Sequence, residues 1–328
     1  MSKRVLIVGA GGWGTAMAVL LAQGGAGVTL LAHRAQRADE LKRTRENAHL
    51  LKGVKIPESV EPVAAVADFG GFDWCFCAVP TRFVRSMFAP LASRYLRELP
   101  LISLTKGIEQ ESLLLPSALL KQVLGAQHVL ALSGPSHAEE VARGLPASVV
   151  VAGEGTFAQA AQKLVSGKTF RAYVTDDLLG VEIAGAAKNV VAIAAGILEG
   201  LKFGDNAKAA LVARGLAEIT RLGVALGAKE RTFYGLSGVG DLYTTCASPH
   251  GRNRAFGLRV GKGEKPLDII ASQEMEVEGF NTAKALKALA ARVGIEMPIV
   301  EQACRVLYEG ANPRDAVIEL MTRNLKAE

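Results

Sequence analysis

The chain has 328 residues, of which 49% are hydrophobic and 5% aromatic. This length favours two globular domains, given the usual ~100 to 200 residues per domain. The net charge of +6 suits an anionic partner, but the basic residues are scattered and aromatics are few. This pattern disfavours nucleic acid and favours small anionic ligands.

The cysteines and the apolar segments bear on location. The four cysteines, at positions 75, 77, 246 and 304, show neither zinc spacing nor a disulfide framework, which predicts a reducing, cytoplasmic setting. The N-terminal apolar run RVLIV breaks at glycines, so neither a signal peptide nor an anchor is expected. Residues 178–198 are apolar enough to span a membrane, but Lys188 and Asn189 lie in the middle; a buried helix is expected instead.

Short apolar runs alternate with helix-length segments through the first half of the chain. RVLIVG precedes a helix over 14–23, and VTLLA precedes a helix over about 35–49. Further strand-like runs are DWCFCAVP, LISLTK, VLALSGP, ASVVVA and RAYVT. The pattern predicts a doubly wound α/β domain of the Rossmann type, with a mostly parallel sheet covered on both faces.

The pattern changes after Asp176 and Asp177, which are typical N-cap residues. From there on, no strand-like alternation recurs. The predicted helices cover 178–200, 206–226 and 281–293, with two more opened by Pro298 and Pro313. We therefore predict an α/β domain over 1–176 and an all-α domain over 177–328.

A glycine-rich turn, GAGGWG, joins the first strand to the first helix. In such a turn, Gly9 would bend the chain, Gly11 would let a pyrophosphate approach the backbone, and Gly14 would let helix and strand pack. The helix N-terminus attracts negative charge. The alternative is a plain strand-to-helix turn, but the position of the motif favours dinucleotide binding, with Gly12 and Trp13 within the same turn.

The second apolar run ends in Ala32, His33 and Arg34, where NAD-selective sites usually carry an acid that binds the ribose hydroxyls. An acid would repel the 2′-phosphate of NADP, whereas Arg34 can clamp it. The alternative is that Arg34 is a solvated loop residue. We predict that NADP, or both NADP and NAD, binds beside His33 and Arg34. Other arginines that could make the contact are Arg37, Arg43 and Arg45.

Two lysines are candidates for chemistry. Lys106 follows a predicted strand, and the carboxyl ends of parallel strands line the ligand crevice, although a surface-loop lysine is the alternative. Lys188 lies in AGAAKNVVAIAAG, where a buried ammonium group is costly unless it is paired or gives up its proton. A salt bridge to Glu182 is not expected, since the offset places the two on different helix faces. Lys188 is therefore predicted to transfer a proton.

Three further segments, with four candidate residues, could bind a small ligand. Asp241 follows the glycine-rich stretch GLSGVG, although it could also cap the next helix. Arg252 and Asn253 open a predicted helix and could hold a phosphate through guanidinium and backbone N–H groups. Ser136 lies in the turn SGPSHA, a composition that is also common in turns without function.

Eight motifs occur in one order: GAGGWGTAMA, SLTKG, SGPSHA, GAAKNV, GVGDLYTTC, GRNRAFG, VEGFNT and MPIVEQACRVLYEG. Together they closely resemble the NAD(P)-dependent glycerol-3-phosphate dehydrogenases, over essentially the whole chain. The resemblance implies hydride transfer between NAD(P)H and dihydroxyacetone phosphate, which forms sn-glycerol 3-phosphate for phospholipid synthesis. It also implies that Lys188 accepts the proton in the reverse direction, with Lys106 and Asp241 as further catalytic residues.

The resemblance implies the rest of the site residue by residue. The implied substrate contacts are Lys106, Gly134, Ser136, Lys188, Asn189, Asp241, Thr245, Gly251, Arg252 and Asn253. The implied cofactor contacts beyond the glycine turn are Lys106, Ala138, Arg252 and Glu278. The sequence departs from the bacterial pattern at Gly12 and Gly251, where serine is common, and at His137, where Phe is usual. Gly251 lacks a hydroxyl that would otherwise reach the phosphate.

Two rival functions remain at this stage. One is reduction of a small hydroxy or keto acid, which would need a carboxylate clamp and has no evident use for GRNR. The other is a dinucleotide-sensing regulator, which would need no titratable lysine in a cleft. We expect a homodimer with a small phosphorylated substrate, no metal, and neither nucleic acid nor a membrane as partner.

Overall fold

The structure is a computed structural model that describes residues 2–273 and 276–325. The chain forms two compact units. The first contains the chain up to Lys106 together with Leu115–Val181, and the second contains Gly107–Leu114 and the chain from Glu182 onward.

The limits of the units differ from the predicted domain limits in two places. The division after Val181 falls inside a helix, slightly beyond the predicted boundary at 176/177. The short segment Gly107–Leu114, predicted within the first domain, belongs to the second unit. There the Gln110 side-chain amide donates a hydrogen bond to the Asn281 carbonyl oxygen at 2.8 Å.

An eight-stranded sheet is the centre of the first unit. Its spatial order is β10-β9-β8-β7-β6-β1-β2-β5, and a separate small ladder pairs β3 with β4. The strands are β1 Arg4–Val8, β2 Gly27–Leu31, β3 Glu46–Asn47, β4 Leu51–Lys55, β5 Val60–Val63, β6 Trp74–Cys77, β7 Leu101–Ser103, β8 Val129–Ser133, β9 Ala147–Ala152 and β10 Phe170–Thr175.

Helices cover both faces of this sheet, so its central strands are apolar along their whole length, as β1 shows from Val5 to Val8, where every residue is 0% exposed. The helices of this unit are α1 Gly12–Gln23, α2 Ala35–Thr44, α3 Thr81–Phe88, α4 Arg94–Glu98, α5 Pro116–Leu124, α6 Ala138–Ala142 and α7 Gly155–Val165. The predicted doubly wound α/β class is confirmed.

The sheet is parallel except where β8 meets β9. The chain between these strands contains only the short helix α6, and the next strand, β10, returns to a parallel pairing with β9 after helix α7. The chain direction therefore reverses once, between β8 and β9, at this side of the sheet.

The predicted helix over about 35–49 is too long. Helix α2 ends at Thr44, because Arg45 takes a left-handed conformation with φ 52°. The chain then forms β3, and residues counted as the end of a helix become half of a small antiparallel ladder. Strands β4 and β5 were not predicted, because they contain Gly53 and Pro62, which are typical of loops.

The second unit contains helices and no strand among its described residues. Its helices are α8 Leu178–Gly200, which begins in the first unit, α9 Gly204–Ala225, α10 Glu230–Phe233, α11 Asp241–Ala247, α12 Arg252–Gly261, α13 Pro266–Ser272, α14 Glu278–Arg292, α15 Pro298–Tyr308 and α16 Pro313–Met321. The predicted N-cap of α8 is present: the Gly180 N–H donates to Asp177 Oδ1 at 3.0 Å.

Helix α8 is the buried helix that the sequence predicts. Among the described residues it alone has the length and hydropathy of a membrane span, but 94% of its most apolar window is buried inside the protein. It packs against α12 with backbone close to backbone. A Cβ on Gly196 would lie 2.0 Å from the Arg254 carbonyl oxygen, and one on Gly257 would lie 2.0 Å from that of Ile193. Only glycine permits this approach.

Candidate active site

The glycine-rich turn has the geometry of a pyrophosphate site. Gly9 has φ +113°, and a Cβ there would lie 2.6 Å from the Ala78 carbonyl oxygen. A Cβ on Gly14 would lie 1.9 Å from the Gly9 carbonyl oxygen, whereas one on Gly11 would have no protein atom within 4 Å. The outer glycines are therefore required by packing, and the space above Gly11 is open at the N-terminus of α1, where an anion is favoured.

The other predicted residues of this turn lie on the first turn of α1. Gly12 is the first residue of the helix, and a Cβ there would lie 2.8 Å from the Leu50 carbonyl oxygen. A serine at this position would therefore displace the Leu50 backbone. Trp13 packs its partly buried ring against the hydrophobic core.

His33 and Arg34 lie between β2 and α2, both exposed. Partial burial, together with the positive charges of Arg34 and Arg37, lowers the pKa of His33, so it is neutral at pH 7. Arg34 is the N-cap residue of α2, and its side chain makes no hydrogen bond or ion pair within the described chain. Arg37 and Arg45, by contrast, already bind protein groups. Arg34 is thus the better placed of these arginines for an added phosphate.

Lys106 and the SGPSHA turn come together in the first unit. Lys106 Nζ donates to the Gly134 carbonyl oxygen at 3.1 Å, and the Ser136 hydroxyl donates to the same oxygen at 3.0 Å. Gly134 has φ +140°, and a Cβ would lie 2.9 Å from the Val149 Cα, so a side chain is excluded. Ala138, the predicted cofactor contact, begins α6 four residues further on.

Lys188 has the partner that a buried ammonium group requires. Its Nζ lies 2.6 Å from Asp241 Oδ1 and 2.6 Å from the Thr245 hydroxyl. Lys188 is 6% exposed, Asp241 2% and Thr245 5%. The charge of Lys188 is therefore compensated by Asp241. This cluster of Lys188, Asp241 and Thr245 is called the lysine cluster below.

Local geometry brings Asp241 to Lys188. A π-helical turn at Leu236–Gly240 precedes α11, and a Cβ on Gly238 would lie 2.0 Å from the Phe233 carbonyl oxygen. Asp241 is the first residue of α11, and the N-cap is Gly240. The Asp241 carboxylate therefore does not cap the helix, and it accepts a hydrogen bond from Lys188. Burial raises the pKa of the neighbouring Cys246 to about 12, so that thiol stays protonated.

A chain of amides lies beside the lysine cluster. Asn253 Nδ2 donates to Asn189 Oδ1 at 3.0 Å, and Asn253 Oδ1 accepts from the Gly279 N–H at 2.9 Å. Both asparagines are buried: Asn189 is 5% exposed and Asn253 is 8% exposed. These bonds fix the start of α12 against α8 and α14. Glu278, the predicted cofactor contact, is the first residue of α14.

Arg252 and Gly251 complete the predicted phosphate region at the start of α12. Arg252 is exposed, and its Nη1 donates to the Glu276 carbonyl oxygen at 3.3 Å. A Cβ on Gly251 would lie 2.7 Å from the carbonyl oxygen of Thr245. The glycine found here thus lets α12 begin close to α11.

One residue of this region was missed by the sequence analysis. Asn47, in β3, is 0% exposed, and its Nδ2 donates to the Ala10 carbonyl oxygen of the glycine turn. No local motif marks it, because its partners at the glycine turn, Ala10 and Thr15, lie 37 and 32 positions away in the sequence.

A strand, glycine turn and helix in one unit, and a buried lysine held by a carboxylate in the other, are the parts of a dinucleotide-dependent dehydrogenase. Family models give the particular family: that of the NAD-dependent glycerol-3-phosphate dehydrogenase N-terminus matches residues 4–158, and that of its C-terminus matches residues 177–318. The chain belongs to the NAD(P)-dependent glycerol-3-phosphate dehydrogenase family.

Individual relatives are similar over their full length. The glycerol-3-phosphate dehydrogenase [NAD(P)+] of Geobacter sp. (strain M21) is 42% identical, over 100% of this chain and 99% of the relative. A Salinibacter ruber enzyme of the same description is 45% identical, over 100% of this chain and 97% of the relative. The crystal structure of glycerol-3-phosphate dehydrogenase from Coxiella burnetii superposes with a TM-score of 0.92 at 36% identity, covering 98% of this chain and 99% of that one.

Proposed function

We propose that this chain interconverts dihydroxyacetone phosphate and sn-glycerol 3-phosphate by hydride transfer with NAD(P)H, and that Lys188 is its proton donor and acceptor. The supporting observation is the lysine cluster, a buried ammonium group with hydrogen bonds of 2.6 Å to a carboxylate and to a hydroxyl. The relatives named above carry the same activity in their descriptions.

The chemistry divides between cofactor and protein. When bound, the nicotinamide supplies the hydride to C2 of dihydroxyacetone phosphate. The C2 oxygen gains negative charge as the hydride arrives, and Lys188 gives it a proton. Asp241 holds the ammonium group in place and keeps its charge compensated before transfer. In the reverse direction, the neutral amine of Lys188 takes the hydroxyl proton from glycerol 3-phosphate.

The residues at the start of α12 bind the substrate in this proposal. Arg252, with the N–H groups at the start of α12, binds the phosphate, and Asn189, Asn253, Thr245 and Gly251 border it. Lys106 contacts both substrate and cofactor. The remaining proposed contacts are Gly134 and Ser136 to the substrate, and Gly9, Gly11, Gly12, Trp13, Gly14, His33, Arg34, Ala138 and Glu278 to the cofactor.

A turnover assay tests the proposal. Purified protein is mixed with NADPH or NADH, with and without dihydroxyacetone phosphate, and loss of absorbance of the reduced nicotinamide is followed. Oxidation that requires dihydroxyacetone phosphate supports it. Oxidation with a small keto acid instead would indicate a hydroxy-acid reductase, and cofactor binding without turnover of either would indicate a sensor.

Location and assembly are part of the same proposal. A reducing cytoplasm suits the four cysteines, all of which are buried as free thiols. A homodimer fits an enzyme of this size, since closed symmetric pairs are the commonest oligomers. Glycerol 3-phosphate formed there would feed phospholipid synthesis. Light scattering on the purified protein measures the subunit number, and cell fractionation tests the location.

A further inference from the structure

We propose that Asn47 is a positioning residue for the cofactor, which sets the direction of the Gly11 N–H in the glycine turn. The inference rests on the proposed binding of the pyrophosphate at this turn. Asn47 lies outside the turn, on the two-residue strand β3, and is completely buried. A buried polar side chain is costly unless its hydrogen bonds are satisfied.

All the hydrogen-bonding capacity of the Asn47 side chain is used. Its Nδ2 donates to the Ala10 carbonyl oxygen at 3.3 Å and to the Thr15 hydroxyl at 2.8 Å. Its Oδ1 accepts from the Leu50 N–H at 3.3 Å and from Arg37 Nη2. An asparagine offers two N–H groups and one oxygen with two lone pairs, so none is left over.

Arg37 determines which way round the Asn47 amide lies. A guanidinium group can only donate, so the end of the amide facing Arg37 must be the oxygen. The NH2 end therefore faces the glycine turn. Arg37 is itself fixed by Glu40, whose Oε2 accepts from Nη1 at 2.7 Å. The orientation of the amide is thus set by charged groups of α2.

The bond to Ala10 fixes a peptide plane of the turn. In a trans peptide, the carbonyl of one residue and the N–H of the next point in opposite directions. Because the Ala10 carbonyl oxygen faces Asn47, the Gly11 N–H points away from Asn47. It donates to no group in the described chain, and the Cβ position of Gly11 is free of protein atoms within 4 Å. An N–H held in this direction is ready to donate to a pyrophosphate oxygen.

Thr15 holds the other side of the turn. Its backbone N–H donates to the Gly11 carbonyl oxygen at 2.9 Å, and its hydroxyl accepts from Asn47. One buried amide thereby ties the residue before Gly11 to the first turn of α1. Networks of this kind make a segment rigid when every member is satisfied. Asn47 therefore pre-organises the turn without touching the cofactor.

The test exchanges Asn47 for aspartate, which has the same shape and still accepts from Arg37 and Leu50 but cannot donate to Ala10. We expect Asn47→Asp to raise the dissociation constants of NADPH and NADH by the same factor, about tenfold, since both carry the pyrophosphate. The kcat at saturating cofactor should stay within about twofold of the wild type. An unchanged affinity, a loss confined to one cofactor, or an equal fall in kcat would each overturn the proposal.

A second pair of variants covers the case in which Asn47→Asp does not fold. Thr15→Val removes one partner of Asn47 at nearly constant volume. Thr220→Val is its control, because Thr220 is also buried and its hydroxyl donates to the Leu216 carbonyl oxygen within α9. We expect weaker cofactor binding, about threefold, in Thr15→Val alone. Equal affinities in the two variants would refute the role of Asn47. Wild-type protein that binds no NADPH or NADH would instead refute the proposed function.

Discussion

Lys188 and Asp241 form a buried ion pair between α8 and α11, with Nζ 2.6 Å from Oδ1 and side-chain exposures of only 7% and 3%. Removing two charges from water costs as much as their attraction returns, so such a pair contributes little net stability. Each charge does, however, lower the free-energy cost of burying the other. The pair is therefore better explained by the proposed proton transfer from Lys188 than by the stability of the helical unit.

Substitution of Lys188 separates these two roles. Lys188→Met should remove most turnover with little change in cofactor affinity. It should also destabilise the protein by about 3 to 5 kcal/mol, because the Asp241 carboxylate is left buried without a counter-charge. Lys188→Met/Asp241→Asn should recover much of that stability and remain inactive. Denaturant unfolding and steady-state kinetics measure both; wild-type kcat in either variant would exclude proton transfer by Lys188.

Arg252 is expected to recognise the phosphate. Arg252→Ala should raise the KM for dihydroxyacetone phosphate by an amount equivalent to about 1.5 to 3 kcal/mol, the usual worth of a hydrogen bond to a charged group. Reduction of unphosphorylated dihydroxyacetone should hardly change. The control is Arg259→Ala on the same helix, whose guanidinium pairs with Glu264. Equal losses for both substrates would show that Arg252 does not bind the phosphate.

Arg34 is expected to set the cofactor preference. Wild type should bind NADPH at least as well as NADH, with an advantage that shrinks as salt screens the phosphate. Arg34→Asp should reverse the preference, since a carboxylate repels the 2′-phosphate and accepts from ribose hydroxyls. Aspartate is also a good N-cap for α2, so the fold should be retained. The kcat/KM values for both cofactors decide this; a shift in Arg43→Asp instead would assign the contact to Arg43.

Gly11 and Gly14 should respond differently to the same substitution. Gly14→Ala places a Cβ 1.9 Å from the Gly9 carbonyl oxygen and should cost about 1 to 3 kcal/mol of stability. Gly11→Ala meets no protein atom within 4 Å, so the unfolding midpoint should hold while NADPH affinity falls about tenfold or more. Full cofactor affinity in Gly11→Ala would mean that the pyrophosphate does not lie against this residue.

Glu218 predicts a pH dependence of stability unrelated to turnover. Its two carboxylate oxygens accept from the Ile299 N–H at the start of α15, at 2.9 and 3.1 Å. Burial raises the pKa of this carboxyl from 4.5 to about 7, against the opposing effects of the Ile299 and Val300 N–H groups and of Arg221 and Arg323.

A folded-state pKa above the unfolded one means that the stabilising contribution is complete below pH 4.5 and is lost as the pH rises through 7. Between these limits, the free energy of unfolding of the wild type should fall by about 3 kcal/mol relative to Glu218→Gln. Unfolding curves of the two proteins at several pH values measure it. Parallel pH profiles would show that the carboxyl titrates normally.

Much of the fold could be predicted because its signals are local. The apolar runs, the glycine turn and the N-cap Asp177 each depend on neighbours in sequence. The small ladder after Arg45 could not be predicted. Helix α2 ends because Arg45 alone adopts a left-handed conformation, and arginine has no propensity that would indicate this. The reversed direction of β9 also depends on the packing of the sheet, not on the strand's own residues.

The same distinction applies to the site. Lys188 stands out because one charge lies in a long apolar run, so its chemistry is visible in the sequence. Asp241 is also a candidate from its glycine-rich neighbourhood, but its pairing with Lys188 is not visible in the sequence. The two residues are 53 positions apart, and only the folded chain shows the carboxylate at the ammonium group. Asn47 is harder still, because a buried asparagine looks like any loop residue until its partners are known.

The close packing of α8 and α12 has a consequence for engineering this protein. Replacing helical glycines by alanine is a standard route to heat resistance, because alanine favours the helix by about 1 kcal/mol. At Gly196 or Gly257 the added methyl group would be a wedge between the two helices. Asn189 and Asn253 lie on these same helices. Pushing the helices apart would therefore weaken the hydrogen bond between the two asparagines beside the lysine cluster. Because these asparagines border the substrate in the proposed site, variants at Gly196 or Gly257 should turn over slowly. Gains in heat resistance are better sought at glycines on other helices.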